Sequence, residues 1–599
     1  MFKHILPLIF LVACNSAGAQ QSDFKVQFDG PQRQVPPGLI YGLNDLQNST
    51  SGVWKAWSDG VEPNGGVVRI WLKRYLGKLN KSHIETALSA QQIGLGVMLT
   101  VVGVTGDAHK NNSTDENHVL MPPSNTRQWA LELARDVKEM INAGVDVQYV
   151  EIWNEPDMPS EWDDTKEKFA NFFAECGSVL RSELPANVKI GGPGMASGWG
   201  LGMSYFEIVL DACKRKSFKP DFLSWHHYGS FATDSEFLKT ASLLEEMAQA
   251  RGLGTPETIL SEWNVSLPHP VAKGVDSNIG AAFWSAMVSS LIQTPTSHAL
   301  FFFLQDGSWE AEDDYAGQSV GAFTLRGAPK AIFSAMKLMA EVAKSPAVPV
   351  KRVQAINNLT CVATRNADKG QLLVTNAPGD ILRTARKHLA ASGLEMGDLK
   401  GKDNKIKIYL SGKSKFEKLG LGPQWRAPID GIKKLVRELK KEGDVPQRWV
   451  TIQLDSQPKS IVRVRLIDES HGNPVSSSSF RKLFKPYEAG FGASTVEKTI
   501  AELKRQGIPV NERAALERAF KSGSRSNSVP GVSPENYATA RATFDRLLEE
   551  MKNDLPSKLS EHAACSAADV DPADWVRVEG ATLRIKVPHH SIVAVDLEL

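Results

Sequence analysis

Between about residues 36 and 345 the chain alternates short apolar or β-branched runs with longer amphipathic stretches. Strands that are joined by helices run parallel, so this alternation predicts a parallel sheet covered by helices. Eight of the runs have the character of strands, and eight β/α units are the content of a TIM barrel. In chain order, the predicted strands are Gly38–Leu46, Val67–Lys73, Gly96–Gly103, Gln148–Pro156, Lys189–Ala196, Phe222–Gly229, Thr258–Asn264 and His298–Asp306.

A doubly wound open sheet is the alternative for the same alternation. That fold rarely needs eight strands, and it usually carries a glycine-rich turn that binds phosphate after its first strand. No G-x-G-x-x-G sequence follows the first predicted strand of this chain. The favoured fold for residues 36–345 is therefore an α/β fold of the (β/α)8 TIM-barrel type.

The sequence changes character after residue 345. The segments Val350–Thr375, Trp449–Ile467 and Ala581–Glu598 alternate apolar and polar residues in the manner of strands. Strands of this kind predict a β-sandwich that is appended to the barrel and occupies the rest of the chain. Two stretches between them, near 385–445 and 480–575, have helical patterns and are interpreted as insertions into the sandwich.

Residues 1–20 have the features of an export signal. Lys3 precedes an apolar run, Ile5–Ala13, that is too short to span a membrane as a helix. Leu11–Cys14 resembles a bacterial lipobox, in which the chain is cut before a cysteine that is then acylated, while Ala17–Ala19 resembles an ordinary signal peptidase site. We favour the lipobox, and with it an exported lipoprotein of the periplasm or outer membrane that a lipid on Cys14 anchors. The alternative is secretion.

Charge and motif content argue against several other classes of function. Lys and Arg total 69 against 68 Asp and Glu, so the net charge of +1 does not favour nucleic acid as a partner. The four cysteines after Cys14 are far apart, and no C-x-x-C, H-x-H or H-E-x-x-H sequence marks a metal site. We therefore predict neither a metal nor a cofactor. Disulfides and buried thiols are both compatible with the cysteine spacing.

Two predicted strands end in a carboxylate. Glu155 lies at the end of the apolar fourth strand, and Glu262 lies at the end of the seventh. The carboxyl ends of barrel strands form the catalytic face, and the fourth and seventh strands lie across its mouth, so both side chains can reach one cleft. Glycoside hydrolysis needs such a pair, because one carboxyl group protonates the leaving oxygen while the other attacks the anomeric carbon or directs water to it.

The residues around the two carboxylates resemble those of a known group of enzymes. Trp153–Pro156 (WNEP) and Ser261–Trp263 (SEW) resemble the fourth and seventh strand ends of clan A glycoside hydrolases. Gly191–Pro193, Ser224–Tyr228 (SWHHY) and Arg465–Pro474 (RLIDESHGNP) make the chain most similar to family 39, which contains β-xylosidases, α-iduronidases and bacterial exopolysaccharide hydrolases. The resemblance covers the barrel and the sandwich edges but not the two insertions.

This resemblance implies a role for each matching residue. Glu155 would be the acid/base and Glu262 the nucleophile of a retaining mechanism. His226 and His227 alternate across their strand, so only one of them is expected to face the barrel lumen. The implied substrate-binding residues are Asn154 for the sugar 2-hydroxyl, Arg69 and Tyr228 for the nucleophile, His226 for a sugar contact and Trp309 for stacking in the −1 subsite.

The function expected from these observations is a retaining glycosidase that hydrolyses a poly- or oligosaccharide by double displacement. A β-xylosidase and an exopolysaccharide hydrolase are both compatible with the resemblance, as are exo and endo action. Two alternatives use the same barrel. One is a glycan-binding lipoprotein without catalysis, and the other is a transglycosidase that passes the sugar to an acceptor hydroxyl.

Overall fold

The computed structural model describes most of the chain, and the predicted signal segment with Cys14, the side chain of Trp309 and most of the first insertion lie outside the described residues. The described residues are 22–45, 49–73, 79–103, 122–198, 201–228, 235–265, 275–307, 320–353, 359–377, 405, 409, 414–432, 434, 447–488, 491–507 and 533–599.

Eight parallel strands close into a barrel in chain order, and a helix follows each of them, which confirms the predicted TIM barrel. The barrel strands are β2 (Leu43–Asp45), β3 (Val67–Lys73), β4 (Gly96–Val102), β5 (Val147–Ile152), β6 (Lys189–Met195), β7 (Phe222–Tyr228), β8 (Glu257–Asn264) and β9 (His298–Phe302). The helices are α1 (Pro37–Ile40), α2 (Ser51–Val61), α3 (Lys81–Gln92), α4 (Thr126–Asn142), α5 (Lys166–Glu183), α6 (Leu201–Arg215), α7 (Ser235–Gln249), α8 (Asn278–Leu291) and α9 (Ala331–Val342).

The first, fourth and eighth barrel strands are shorter than predicted. Residues 38–40, the start of the predicted first strand, belong instead to the helical turn Pro37–Ile40, because proline at a first helical position is already set for a helix. The fourth strand ends at Ile152 rather than at Pro156, since the residues that follow leave the β conformation. The eighth ends at Phe302. The parallel core of the barrel is nevertheless continuous from β2 to β9.

The appended domain is a sandwich of two five-stranded sheets, as predicted, with the orders β10-β1-β13-β17-β16 and β11-β12-β18-β14-β15. Strand β1 comes from before the barrel and pairs in parallel with β13, so the sandwich is not contiguous in sequence. The strands are β1 (Phe24–Val26), β10 (Val350–Arg352), β11 (Leu359–Asn366), β12 (Lys369–Asn376), β13 (Gln447–Leu454), β14 (Ser460–Ile467), β15 (Ala568–Val570), β16 (Val576–Glu579), β17 (Thr582–Pro588) and β18 (Ser591–Glu598).

The two sheets of the sandwich have different neighbours. Their inner faces share one apolar core. The outer face of the β11-β12-β18-β14-β15 sheet joins the barrel core, with Leu373 and Ile592 among the contributing side chains. Ser285 of α8 and Thr375 of β12 share a hydrogen bond of 2.7 Å across this contact. The outer face of the other sheet therefore points away from the barrel.

Helices of the second insertion lie beside the barrel. They are α10 (Ser478–Glu488), α11 (Phe491–Arg505), α12 (Pro534–Ser560) and, near the last strands, α13 (Pro572–Trp575). Helix α12 contacts α2 so closely that a Cβ atom on Gly52 would lie 2.4 Å from the carbonyl oxygen of Lys552. Because Ser51 is the first residue of α2, and Ser51 donates to Asn553 at 2.5 Å, this contact lies near the carboxyl-end face of the barrel.

Cys176, Cys213, Cys361 and Cys565 are buried thiols, so the disulfide alternative does not apply. None of the helices in the described part of the chain combines the length and the apolar character that crossing a membrane requires.

A buried ion triad joins the last segments of the barrel. The Lys330 ammonium group lies 2.7 Å from Asp276 and 2.6 Å from Asp306, and all three side chains are buried. Burial opposes the charge on Lys330, but the carboxylates of Asp306 and Asp276 outweigh it and raise the pKa of this lysine. The triad therefore ties the starts of α8 and α9 to the segment that follows β9.

We expect Lys330→Ala to destabilise the protein by about 3–5 kcal/mol, because it leaves two buried carboxylates without their cation. The matched control is Lys344→Ala, which removes an exposed lysine paired with Glu62 and should cost less than about 1 kcal/mol. Urea unfolding followed by tryptophan fluorescence measures both. Equal losses of stability in the two variants would contradict the structural role of the triad.

Candidate active site

Glu155 lies in a turn that follows β5 and has an unusual backbone. Trp153 and Glu155 have φ angles of 76° and 49°, in the left-handed region that residues other than glycine rarely adopt. Such conformations cost about 1–3 kcal/mol each and persist only where the surroundings enforce them. Here the Glu155 amide donates to the carbonyl of Gly194 at 2.9 Å, and the Trp153 indole donates to the carbonyl of Glu161 at 2.7 Å. The turn directs Glu155 into the mouth of the barrel.

Glu262 is held by donors from three other barrel strands. Tyr228 donates to its Oε1 at 2.5 Å, Arg69 donates to its Oε2 at 2.8 Å, and Asn44 donates to the same Oε2 at 3.1 Å. Burial and the adjacent Glu262 carboxylate raise the pKa of Tyr228 well above its usual value, so the tyrosine keeps the proton that it donates. Both oxygens of Glu262 therefore accept hydrogen bonds from groups with fixed positions.

The fully buried Arg69 also contacts a third carboxylate. Its Nε donates to Glu151 at 2.7 Å, and its Nη2 donates to the side-chain oxygen of Asn154 at 2.8 Å. Burial opposes the ionisation of Glu151, but Arg69 and the hydroxyl of Ser224 are among the groups that outweigh it and lower the pKa of this carboxyl. The barrel lumen thus holds a buried cation between Glu151 and Glu262, which explains how an arginine can remain there.

Glu155 differs from these groups because, among the described residues, no guanidinium forms a hydrogen bond or ion pair with it. Burial raises its pKa to about 7, and the nearby Glu151 adds to this while Arg69 opposes it. Its side chain keeps 22% of its surface exposed. Glu155 is therefore a carboxylic acid that holds its proton up to about neutral pH and can still reach a bound molecule.

His226 contacts Glu155, with 2.8 Å between its Nδ1 and the Oε1 of the acid. The histidine is fully buried, and burial lowers its pKa to about 4, so the ring is neutral at physiological pH. Of the two histidines in β7, it is His226 that meets the carboxylates. In the structure His226 is a buried neighbour of Glu155, and the sugar contact that the resemblance implies for it stays a prediction.

The two candidate catalytic carboxylates are close to each other. An oxygen of Glu155, a ring nitrogen of His226 and an oxygen of Glu262 all lie within 4.8 Å of one another. Retaining glycosidases hold their two carboxyl groups about 5–5.5 Å apart, while inverting enzymes hold them about 6.5–9.5 Å apart. Distance alone would also suit a metal ion. However, both oxygens of Glu262 already accept hydrogen bonds, one of them from a cationic guanidinium, and this disfavours a second cation there.

Glu151, Asn44 and Thr100 were not identified from the sequence. The Thr100 hydroxyl donates to Glu151 at 2.8 Å, and the Trp71 indole donates to Asn44 at 2.9 Å, which orients the amide that reaches Glu262. One signal was available, since a charged or amide side chain within a buried strand must face a polar partner. The partners themselves come from distant parts of the chain, and local patterns do not reveal them.

Comparisons with known proteins bear on the family and the fold of this chain. Residues 138–371 match the model of the family described as glycosyl hydrolases family 39. A GH39 enzyme from Xanthomonas axonopodis pv. citri has 13% identity and a TM-score of 0.54, covering 98% of this chain and 100% of that chain. A GH39 β-xylosidase from Caulobacter crescentus has 12% identity and a TM-score of 0.53, covering 96% and 99%.

The fold likeness extends to a GH30 endoxylanase from Clostridium papyrosolvens, at 11% identity and a TM-score of 0.50, with 96% of this chain and 100% of that chain covered. At these identities the structures show that the fold is shared. The family match includes both Glu155 and Glu262. Residues 138–371, which include the barrel strands β5 to β9, therefore match a glycosyl hydrolase family 39 domain, the domain of a family of glycosidases.

Proposed function

We propose that this site hydrolyses glycosidic bonds with retention of anomeric configuration, with Glu155 as acid/base and Glu262 as nucleophile. The observation that supports it best is the separation of the two carboxyl groups, whose nearest oxygens lie within 4.8 Å. This leaves room for a covalent intermediate but not for the water molecule that an inverting enzyme places between substrate and base.

The different surroundings of the two carboxyl groups support the assignment of their roles. In the first step Glu262 attacks the anomeric carbon, the glycosidic bond breaks, and the leaving oxygen takes the proton of Glu155. In the second step the Glu155 carboxylate takes a proton from water, whose oxygen displaces Glu262 from the anomeric carbon and releases the sugar. An acid with a pKa of about 7 can donate in the first step and accept in the second near neutral pH.

Asn154 is suited to bind the sugar next to the reacting carbon. Its side-chain oxygen accepts from Arg69 at 2.8 Å, which fixes the amide so that its NH2 group can donate to the 2-hydroxyl. A hydrogen bond to that hydroxyl strengthens in the transition state and contributes to catalysis. Arg69 thereby connects the sugar-binding amide to the nucleophile through one buried side chain.

The proposed substrate is a poly- or oligosaccharide with β-linked sugars. The fold shared with the β-xylosidase from Caulobacter crescentus supports a xylosidase-like specificity, and hydrolysis of an exopolysaccharide is the alternative.

We also propose that the segment ending near Cys14 exports the protein and that a lipid on this cysteine anchors it. Trp309 remains our proposed stacking residue.

The first test compares the parent enzyme with Glu262→Ala on a panel of aryl β- and α-glycosides and several polysaccharides. We expect the rate to fall by several orders of magnitude, because the covalent step is lost. Glu85→Ala, which removes an exposed glutamate paired with Lys81, is the matched control and should leave the rate unchanged. NMR of the first product should show the anomer of the substrate. Inversion, or equal rates in parent and Glu262→Ala, would refute the assignment.

The pH dependence of kcat/KM gives an independent test of Glu155. The pKa of this acid is raised to about 7 and its protonated form is the active one, so kcat/KM should fall as the pH rises through about 7. Glu155→Gln cannot lose this proton and should lack the alkaline limb. The variant should also lose less activity on aryl glycosides with acidic leaving groups than on other glycosides, because acidic leaving groups need little protonation. An unchanged alkaline limb in Glu155→Gln would contradict the role.

A further inference from the structure

The outer face of the β10-β1-β13-β17-β16 sheet carries a cluster of basic side chains, which we call the basic face. Side chains alternate along each strand, and on this sheet the inward positions form the sandwich core. The outward positions carry five cations and one acid. They are Lys351 of β10, Lys25 of β1, Arg584 and Lys586 of β17, Arg577 of β16, and Glu579 at the end of β16.

The register of the sheet places like charges directly opposite each other at two positions. Lys25 pairs with Lys351, and Arg577 pairs with Arg584. Direct cross-strand pairs of equal charge are destabilising. None of these four cations has a carboxylate within 4.0 Å in the part of the chain that the structure describes, although elsewhere Arg463 and Arg465 of the neighbouring sheet both do. The sheet therefore retains two repulsive pairs without a counter-ion of its own.

Aromatic rings lie among these cations. The guanidinium carbon of Arg577 is 4.5 Å from the ring centre of Trp449, and that of Arg584 is 5.7 Å from it. On the same edge the Lys586 ammonium is 5.0 Å from the ring of Trp575. Each contact fixes a long basic side chain over an aromatic surface, which lowers the entropy that it would lose on binding a ligand.

Two acidic groups near the basic face, Glu579 and Asp23, form no ion pair with its cations within 4.0 Å among the described residues. Glu579 lies at the far end of β16, opposite Thr582. Asp23, just before β1, accepts from the amide of Thr451 at 2.7 Å and so is directed at the backbone of β13. Lys25, Lys351 and Arg577 are exposed, and Arg584, Lys586 and Trp449 are half-buried. A strongly positive and accessible surface is the result.

We propose that the basic face binds an anionic polysaccharide whose sugars bear carboxylate groups. The two like-charge pairs lie on β10 and β1 at one edge and on β17 and β16 at the other, so the face spans about 19 Å across five strands. One small anion cannot neutralise both pairs, whereas a linear polyanion that crosses the strands can. Trp449 lies between the pairs on β13, where its ring packs against the guanidinium groups of Arg577 and Arg584 and orders them.

The position of the basic face suits such a ligand. It belongs to the sheet that points away from the barrel, so a bound polymer would not compete with the barrel for this surface. The choice of a polysaccharide over other polyanions rests on the glycosidase domain in the same chain. Binding here would keep a long anionic chain on the enzyme between cleavage events, independently of the site at Glu155 and Glu262.

The test measures binding of the full chain to polygalacturonate and to its methyl ester, which has the same backbone without the charge. We expect binding to polygalacturonate that weakens with added salt, and little binding to the ester. Arg577→Gln, Arg584→Gln and Lys586→Gln combined should weaken binding about tenfold, since each surface ion pair contributes about a factor of two. The control combines Lys138→Gln, Lys168→Gln and Lys216→Gln on the barrel surface and should retain parental affinity.

Several results would overturn the proposal. These are equal affinity for polygalacturonate and its ester, equal losses in the two triple variants, or capture by phosphatidylglycerol vesicles in place of polygalacturonate. Thermal unfolding checks the fold, and Arg577→Gln should change the Tm little, because it removes both the repulsion with Arg584 and the contact with the ring of Trp449. Binding does not require turnover. An inactive protein that binds polygalacturonate would refute only the proposed hydrolysis, while an active one that does not bind it would refute only this inference.

Discussion

The candidate site depends on one buried cation, the guanidinium of Arg69. Its three nitrogens donate to Glu151, Asn154 and Glu262, so one planar group sets the positions of a buried carboxylate, the amide that we propose binds the sugar, and the proposed nucleophile. A cation without partners could not remain in a barrel lumen, and two carboxylates without a cation could not remain there either. Arg69 and Glu151 therefore require each other, and the placement of Glu262 follows from both.

This arrangement also explains how two glutamates in one cleft can have opposite roles. Glu262 has three donors on its two oxygens, while Glu155 has a neutral histidine and a nearby anion, Glu151. Burial and that anion keep a proton on Glu155 up to a pKa of about 7. The left-handed turn that carries Glu155 places its carboxyl group beside the neutral ring of His226, so its strained backbone has a chemical consequence.

The sequence was sufficient for the barrel and for the pair of carboxylates, because both follow from local periodicity and from the rule that strand ends meet at one face. The sequence was insufficient where a contact between residues distant in the chain determines the local conformation. The turn at Glu155 interrupts an apolar run that reads as strand, and it exists because Gly194 accepts its amide hydrogen bond. Likewise, alternation showed that one of two histidines faces inward, but only the packed barrel places His226 behind Glu155 rather than in the open cleft.

In the sandwich, the faces that stabilise the domain are separate from the face that we propose binds a ligand. Its inner faces and the outer face of one sheet are apolar and contribute to two cores, so the domain and its attachment to the barrel are stabilised by burial of apolar surface. The outer face of the remaining sheet contributes to neither of these apolar cores. Side chains there can be selected for a ligand at a small cost in stability, and cross-strand pairs such as Lys25 with Lys351 and Arg577 with Arg584 are tolerated only on such a face.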